Sequence, residues 1–281
     1  MTEAMTNPPA APFAIGGLGG SGTRATAMLV RNCGCWLGGD LNDALDNLWF
    51  TLLFKRASVL IDNEARFEAL FDAFMARMRG IPPTLDMAQT LAALAAQGRF
   101  GHSTDWLVAR LESFTTTSAS PPARDRWCWK EPNTHIIIER ALRQVPELKY
   151  VHVVRDPVYM ASSKNRNQLN NWGPLFLDRA VSDGPRDALA YWARIHRRLD
   201  AVRERHPDRI TFFSHDAFMA DPEPEAARLL GFLGLEPPAN QDRLFEGIVF
   251  QPPAQAQPTH TAMQADPDDL AFCEEFAARY V

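Results

Sequence analysis

The sequence predicts a three-layer α/β/α fold, in which helices cover both faces of a central parallel sheet. Three observations predict it. Short apolar runs, bounded by glycine or proline and without polar alternation, are typical of strands that a parallel sheet buries on both faces. Longer segments repeat apolar residues at i, i+3 and i+4, as amphipathic helices do. The two patterns alternate along the chain, which indicates βα units.

Four segments have the pattern of a buried strand. They are residues 12–17, 127–129, 150–154 and 210–213. Each run is short, and the third is apolar in character apart from His152. Runs of this kind, with breakers on either side, favour strands over helices.

The segments between these strands have a helical period. Helices are predicted at residues 62–79, 85–97, 105–114, 185–204 and 222–233. In the first of them, apolar residues from Phe67 to Met78 recur on one face, and Gly80 and Pro82 end the helix. Asp221 caps the last helix, because a proline follows it at the first helical position.

Composition limits the class of protein. The chain has 281 residues, 46% hydrophobic and 22% charged, and a net charge of −5. These values exclude intrinsic disorder, and they exclude a polybasic protein that binds nucleic acid through its phosphates. We expect one domain over residues 1–281, with a helical insertion at roughly 41–120 and a flexible N-terminus at 1–11.

The sequence also predicts the compartment. Residues 1–12 lack the basic and apolar regions of a signal peptide, and no apolar run is long enough to span a membrane. The four cysteines lack the spacing of a zinc site. They are Cys33, Cys35, Cys128 and Cys273. We therefore expect a cytoplasmic protein with buried, reduced thiols, no membrane span and no bound metal.

A glycine-rich loop joins the first strand to a helix that begins near Thr23. Its glycines are Gly16, Gly17, Gly19, Gly20 and Gly22. The backbone N–H groups of such a loop, together with the helix N-terminus behind it, can bind a phosphate or a sulfate. The strand before the loop and the helix after it favour a ligand-binding loop over a simple turn.

The spacing of the loop distinguishes between nucleotides. Residues 17–22 have the G-x-x-x-x-G frame of the P-loop, but Thr23 and Arg24 replace the lysine and the Mg²⁺-binding hydroxyl. The dinucleotide pattern G-x-G-x-x-G also matches, but Asp40 and Asp43 fall in a helix-like segment instead of ending a second strand. The loop is therefore predicted to bind a nucleotide, but not ATP with Mg²⁺.

A second phosphate-binding motif follows the third strand. Arg155 comes directly after this strand, at the edge where parallel sheets bind ligands. Ser163 lies in the helix that begins at Pro157, and its hydroxyl is predicted to meet Arg155 at one phosphate group. The alternative is that Arg155 pairs with Asp156 or with a helix carboxylate.

Together the two motifs resemble the superfamily of sulfotransferases that use 3′-phosphoadenosine 5′-phosphosulfate (PAPS). The likeness rests on Gly-Gly-Ser-Gly-Thr after the first strand, on Arg155 and Ser163, and on residues 214–222. It implies a P-loop-containing nucleotide-hydrolase-like fold, with PAPS as co-substrate and no required metal. It also implies that Arg155 and Ser163 bind the 3′-phosphate. The residues expected at the 5′ end of PAPS are Gly19, Gly20, Ser21, Gly22, Thr23 and Arg24.

The resemblance further implies transfer of a sulfuryl group to a hydroxyl or amine on a small-molecule or glycan acceptor. Lys130, in Trp-Lys-Glu-Pro, resembles the lysine of the family's Lys-x-Pro motif and is expected to stabilise the bridging oxygen, together with Arg24. The proton of the acceptor requires a base. The candidates are His135, Glu131 and the three carboxylates that follow the first helix, Asp40, Asp43 and Asp46.

The acceptor site is expected to form from the helical insertion and from residues 165–177. The stretch 165–171 is rich in amide side chains, which can hydrogen-bond a sugar. The acceptor itself and the oligomeric state do not follow from the sequence.

Two other functions stay open. A P-loop kinase acting on a small molecule would require ATP and Mg²⁺, against which Thr23 and Arg24 argue. The second is a non-enzymatic protein that binds nucleotide or keeps only the fold. It is favoured by Gly20, where many sulfotransferases carry Lys or Arg, and by residues 251–281, which contain one Arg and no Lys.

Overall fold

Four parallel strands form the sheet, in the order β2-β1-β3-β4. The computed structural model describes residues 11–99, 101–116, 126–250 and 264–281. The strands are β1 Phe13–Gly17, β2 Cys128–Lys130, β3 Lys149–Val154 and β4 Ile210–Ser214. Each begins and ends within one residue of a predicted strand, so the four strand predictions are confirmed.

Twelve helices are present in the described residues. They are α1 Thr23–Asn32, α2 Leu48–Phe54, α3 Glu64–Met78, α4 Leu85–Ala96, α5 Thr104–Thr116, α6 Ile138–Gln144, α7 Pro157–Ser162, α8 Asn167–Leu177, α9 Pro185–Arg205, α10 His215–Ala220, α11 Pro222–Leu233 and α12 Pro267–Tyr280. Short 3₁₀ turns occupy Ala57–Leu60, Pro132–Ile136 and Gln241–Arg243. None of the described helices is long and apolar enough to cross a membrane.

Helices cover both faces of the sheet, and β3 shows how its side chains divide between them. Val151 and Val153 pack in one hydrophobic cluster, with residues of α1, α10 and α11. Tyr150 and Val154 belong to a second and larger cluster, to which the helices between α1 and β2 and the helices α8, α9 and α12 contribute. The predicted three-layer α/β/α fold is therefore confirmed.

The parallel register brings the carboxyl ends of the strands to one edge of the sheet. Ile15 pairs with Lys130, and Val154 pairs with Ser214. The glycine-rich loop after β1, the arginine after β3 and the first residues of α10 therefore leave the sheet side by side, at the edge where open α/β sheets bind ligands.

Residues 40–46 form a loop, where the sequence suggested a helix-like segment. An antiparallel bridge between Leu41 and Asn47 closes the loop. Inside it, the side-chain oxygen of Asn42 accepts two backbone N–H groups. An asparagine that bonds the backbone in this way competes with helix formation, which explains the difference.

Two further differences concern helices. Helix α7 ends at Ser162, so Ser163 is its C-cap residue and not a residue within the helix, as was predicted. Helices α6, α8, α10 and α12 were not predicted, and neither was α2. All seven of its residues are buried, so it has no polar face from which a helical period can be recognised.

Candidate active site

The glycine-rich loop turns tightly between β1 and α1. Gly20 and Gly22 both have φ of 97°, in the left-handed region that only glycine adopts without strain. Between them, the N–H of Ser21 donates to the carbonyl of Leu18 at 2.9 Å. The first N–H groups of α1 have no partner within the helix, so they are free to bind an anion in front of the loop.

Gln168 of α8 clamps the loop from one side. Its Oε1 accepts the N–H of Gly19 at 2.7 Å, and its Nε2 donates to the carbonyl of Gly17 at 3.2 Å. The N–H of Gly19, which the sequence placed among the groups that bind PAPS, is therefore already used by the protein. Gln168 itself belongs to the amide-rich stretch predicted to bind a sugar, and in the structure it holds the loop instead.

Behind the clamp lies a buried network of amides. Asn133 Oδ1 accepts from Gln168 Nε2 at 3.2 Å and from Trp172 Nε1 at 2.8 Å. Asn133 in turn donates twice to the carboxylate of Glu131. Glu131 is 2% exposed, and burial raises its pKa. The structure thus gives this candidate base a role in positioning Asn133, away from any surface that an acceptor could reach.

Arg155 lies directly beside the loop. Its Nη1 donates to the carbonyl of Gly20 at 3.3 Å, and its Nε donates to Asp216 at 3.3 Å. The guanidinium also lies over the ring of Tyr159, 3.6 Å from the ring centroid. Asp216 accepts the N–H of Asp156 as well, at 2.8 Å. The carboxylate that fixes Arg155 is thus the one on α10, one of the two alternatives left open by the sequence.

Ser163 also lies close to Gly20. A Cβ built on Gly20 would lie 3.5 Å from the hydroxyl of Ser163. That hydroxyl accepts the N–H of Asn165 at 3.1 Å, which orients it at the end of α7. The two sequence motifs, which are far apart in the chain, therefore meet at Gly20.

A cavity of about 430 Å³ opens next to the loop. Gly22, Arg24 and Asp43 line it, together with His215 and residues 247–249. Arg24 and Asp43 are exposed, and within the described ranges neither side chain makes a hydrogen bond or an ion pair. The cavity therefore brings a predicted cation and a predicted base together.

His215 also lines this cavity, although it was not among the predicted site residues. Its ring packs so closely on the loop that a Cβ on Gly22 would lie 2.1 Å from Nδ1. Burial, aided by Arg155, lowers the pKa of His215 to about 4, so the ring is neutral at pH 7. Its position directly after β4, equivalent to that of Arg155 after β3, is the signal that could have identified it.

Lys130 is buried at the end of β2, where its ammonium contacts the 40–46 loop. It is 2% exposed, and its ammonium donates to the carbonyl of Ala44 at 3.0 Å and to the carboxylate of Asp46. Both partners lie in the 40–46 loop, so Lys130 fixes the segment that carries Asp43. Two of the three N–H groups of the ammonium are used in this way.

His135 lies in the core and not at the loop. It is fully buried in the 3₁₀ turn Pro132–Ile136, where its Nδ1 is 2.9 Å from the carbonyl of Pro132. Its ring packs edge-on against His152, and burial lowers its pKa to about 3. A ring enclosed in this way cannot meet an acceptor, so the structure does not bring His135 into the site.

The cysteines are buried and unpaired, as the sequence predicted. Burial raises the pKa of Cys33 to about 11 and that of Cys35 to about 12, so these thiols are protonated at neutral pH. Across residues 11–99, 101–116, 126–250 and 264–281, no cluster of His, Cys, Asp or Glu has the arrangement needed to hold a metal ion.

A family model described as "Sulfotransferase family" matches residues 12–239, which include both of the motifs predicted to bind phosphate. Among curated proteins, none matches this chain. Three solved structures illustrate what the chain resembles. The sulfotransferase domain of the Synechococcus PCC 7002 olefin synthase is 18% identical, with a TM-score of 0.49, over 96% of this chain and 95% of that domain.

The other two are bacterial sulfotransferases. STF1 from Mycobacterium tuberculosis H37Rv is 15% identical, with a TM-score of 0.46, over 86% of this chain and 72% of that one. The sulfotransferase from Alicyclobacillus acidocaldarius is 14% identical, with a TM-score of 0.43, over 99% of this chain and 98% of that one.

Proposed function

The chain belongs to the sulfotransferase family, and from that premise we propose that it moves a sulfuryl group from PAPS to a hydroxyl or amine. The acceptor is a small molecule or a glycan. The observation that carries the proposal is the convergence of Arg155 and Ser163 on Gly20, because it joins a phosphate-binding arginine and hydroxyl to a phosphate-binding loop.

The residues present suit a nucleotide with phosphates at both ends. Ser21 Oγ is buried within the loop and has no hydrogen-bond partner among the described residues, so it is a polar group that lacks a ligand. We assign the N–H groups of Gly20, Gly22, Thr23 and Arg24, with Ser21 Oγ and the Arg24 side chain, to the 5′-phosphosulfate. Arg155 and Ser163 then bind the 3′-phosphate.

The adenosine has room in the cavity of about 430 Å³, which begins at Gly22 and Arg24. Its walls include the apolar side chains of Ala25, Met28 and Ile248. Apolar walls with a few polar groups at the rim are typical of pockets for small ligands.

When bound, PAPS supplies the sulfuryl group and a bisphosphate leaving group. The chain's own residues supply charge and a proton acceptor. Arg24 and the loop N–H groups stabilise negative charge at the transferring group. The remaining N–H of Lys130 donates to the bridging oxygen, while its other two hold the 40–46 loop. Asp43, exposed at the cavity and free of partners in the described residues, takes the proton of the acceptor.

The four unpaired thiols favour a reducing compartment, so we propose the cytoplasm as the place where the protein works.

Calorimetric titration with 3′,5′-adenosine bisphosphate, beside ATP with Mg²⁺, tests the nucleotide assignment. We expect the bisphosphate to bind and ATP with Mg²⁺ not to bind. Binding of ATP alone would instead support a P-loop kinase. Binding of neither nucleotide would support a protein that keeps only the fold.

The variant Arg155→Ala tests the 3′-phosphate site. We expect it to weaken bisphosphate binding by about 1–3 kcal/mol, because it removes a charge-assisted contact. Arg31→Ala is the matched control, since Arg31 is exposed at the other end of α1, roughly 12 Å from Thr23 along the helix. Equal affinities for the two variants would contradict the assignment.

A further inference from the structure

A small cavity lined by cationic side chains lies between the helical insertion and α8. Its volume is about 130 Å³. This is room for one carboxylate, sulfate or phosphate group, but it is below the roughly 300–1,000 Å³ that holds a whole drug-sized ligand. The cavity is called the basic pocket below. Its lining residues are Lys55, Arg56, Ala57, Arg99, Asn171 and Trp172.

The charges that line the basic pocket are not balanced. Arg56 is neutralised by Asp62, and the side chains of both are mostly buried. Within the described part of the chain, Arg99 donates only to the backbone carbonyls of Leu52 and Lys55, at the end of α2. Among the described residues, its Nε has no hydrogen-bond partner and Lys55 has no ion pair. Lys55 and Arg99 therefore leave a net positive charge in a partly buried site.

The pKa of a neighbouring histidine is sensitive to this positive charge. His102 pairs with Arg99 across a short backbone bridge and stacks on Trp106, with ring centroids 4.3 Å apart. Burial, then Lys55 and Arg99, lower the pKa of His102 to about 4. A positive potential that disfavours a protonated imidazole favours an anion, by the same Coulomb interaction with the opposite sign.

The basic pocket lies next to the hydrogen-bond network that holds the glycine-rich loop. Trp172 in its wall donates to Asn133, which also accepts from the glutamine that clamps the glycine-rich loop. Lys55 is near enough to Glu131, the residue after Lys130, to oppose the rise that burial causes in the pKa of Glu131. One hydrogen-bonded layer thus separates the pocket from the loop.

We propose that the acceptor carries an anionic group, a carboxylate, sulfate or phosphate, which Lys55 and Arg99 bind in the basic pocket while Asn171 donates from α8. This inference rests on the proposed function, because it names the class of acceptor for the same reaction. The anionic group stays unreacted and serves to position the hydroxyl or amine that receives the sulfuryl group.

The first test measures anion binding in the basic pocket, without turnover. Sulfate is titrated at constant ionic strength into the full-length protein saturated with 3′,5′-adenosine bisphosphate, and the imidazole signals of His102 are followed by NMR. We expect a saturable change and a rise in the pKa of His102 from about 4. Lys55→Met removes the saturable change and by itself raises the pKa of His102. Arg31→Met, a loss of one exposed cation in the opposite helical layer, retains the change.

The outcomes separate the two hypotheses. If calorimetry shows that the bisphosphate does not bind, the proposed function is contradicted. The effect of sulfate on the imidazole signals of His102 can still be measured. Absence of a saturable change at His102, or one that persists in Lys55→Met, overturns the anion site. If Lys55 had only a structural role, Lys55→Met would retain the saturable change at His102 and would have a lowered melting temperature.

The second test asks whether the anion belongs to the acceptor. Matched phenols with and without a carboxylate, such as 4-hydroxybenzoate and 4-hydroxybenzamide, are compared with PAPS as donor. We expect kcat/KM to favour the anionic member by about tenfold or more, as charged hydrogen bonds do, and Lys55→Met to remove this preference. Sulfate binding together with equal kcat/KM for both members would place a free anion, and not an acceptor, in the pocket.

Discussion

The two halves of the candidate site are built in different ways. On the nucleotide side, the loop from Gly17 to Gly22 and the motif at Arg155 follow strands directly, so their positions depend on the sheet. On the proposed acceptor side, Lys130 at a strand end contacts Ala44 and Asp46 of the irregular loop that carries Asp43. The first half is fixed by backbone conformation, and the second by side-chain pairs. Substitutions should therefore affect binding in the first half and turnover in the second.

Lys130→Ala should produce the largest effect, and it acts on turnover. Loss of the ammonium removes a donor to the bridging oxygen and releases the loop that carries Asp43. We expect kcat to fall by about 10²–10³, as when a donor to developing charge is removed, with bisphosphate affinity nearly unchanged. Lys149→Ala is the control, because Lys149 lies at the opposite end of β3 and donates to the carbonyl of Phe232. Full activity in Lys130→Ala would disprove the catalytic assignment.

Gly22→Ala should weaken nucleotide binding by the glycine-rich loop. The new Cβ would lie 2.1 Å from His215, at a φ of 97°. We expect bisphosphate affinity to fall by about 100-fold or more, equivalent to roughly 3 kcal/mol, as measured by calorimetry. Gly231→Ala is the matched control. It lies in α11 with no atom within 4 Å of the added Cβ, so its affinity should equal that of the parent protein. Tight binding by Gly22→Ala would mean that the loop does not hold the nucleotide.

Gln168→Ala tests the connection between the halves. It removes both hydrogen bonds to the loop and the one to Asn133. Because each bond contributes about 0.5–1.5 kcal/mol, we expect bisphosphate affinity to fall about tenfold. Asn170→Ala on the same helix is exposed and should bind normally. The two affinities are compared by calorimetry, and an equal loss in both variants would point to α8 and not to the clamp.

The smallest expected effect is the pH dependence of the free energy of unfolding, which arises from histidines buried in the core. His135, His152 and His196 are fully buried, and burial lowers the pKa of His135 and of His196 to about 3. The unfolded chain therefore binds protons below about pH 6.5 that the native state does not. The free energy of unfolding should fall as the pH drops from 6.5 toward 3.

The variant His196→Phe checks the sign and size of this dependence. Removing one buried histidine should reduce the loss of stability between pH 7.5 and 5.5 by about 1 kcal/mol, as measured by urea unfolding. His206→Gln, at a partly exposed histidine, should reduce it less. A parent protein that is equally stable at both pH values would show that these rings are protonated in the native core.

The nucleotide half was predictable because its signals are local. A positive φ at Gly20 and Gly22 requires glycine, and a strand before the loop is visible as an apolar run. The predicted bounds of β1, β3 and α11 agree with the structure within one residue for the same reason. Arg155 could be placed at the sheet edge from its position after β3 alone.

The acceptor half was less predictable because it depends on contacts between distant segments. The pairing of Lys130 with Asp46 joins residues 84 positions apart, and the bond from Gln168 to Gly19 joins residues 149 apart. No periodicity indicates such partners. His135 illustrates the opposite error, since a histidine near a candidate lysine suggested chemistry while its surroundings enclose it in the core.

The oxygen of Asn133 that Gln168 and Trp172 share has a consequence for kinetics. Gln168 contacts the loop that is proposed to bind the donor, and Trp172 lines the basic pocket that is proposed to bind the acceptor. A displacement of either Gln168 or Trp172 therefore alters the hydrogen bonds of this one oxygen. Because linkage between two binding events is reciprocal, any factor by which the donor tightens acceptor binding must equal the factor by which the acceptor tightens donor binding. Initial-rate measurements should accordingly give double-reciprocal lines that cross away from the horizontal axis, because a crossing on that axis means that neither substrate changes the affinity for the other.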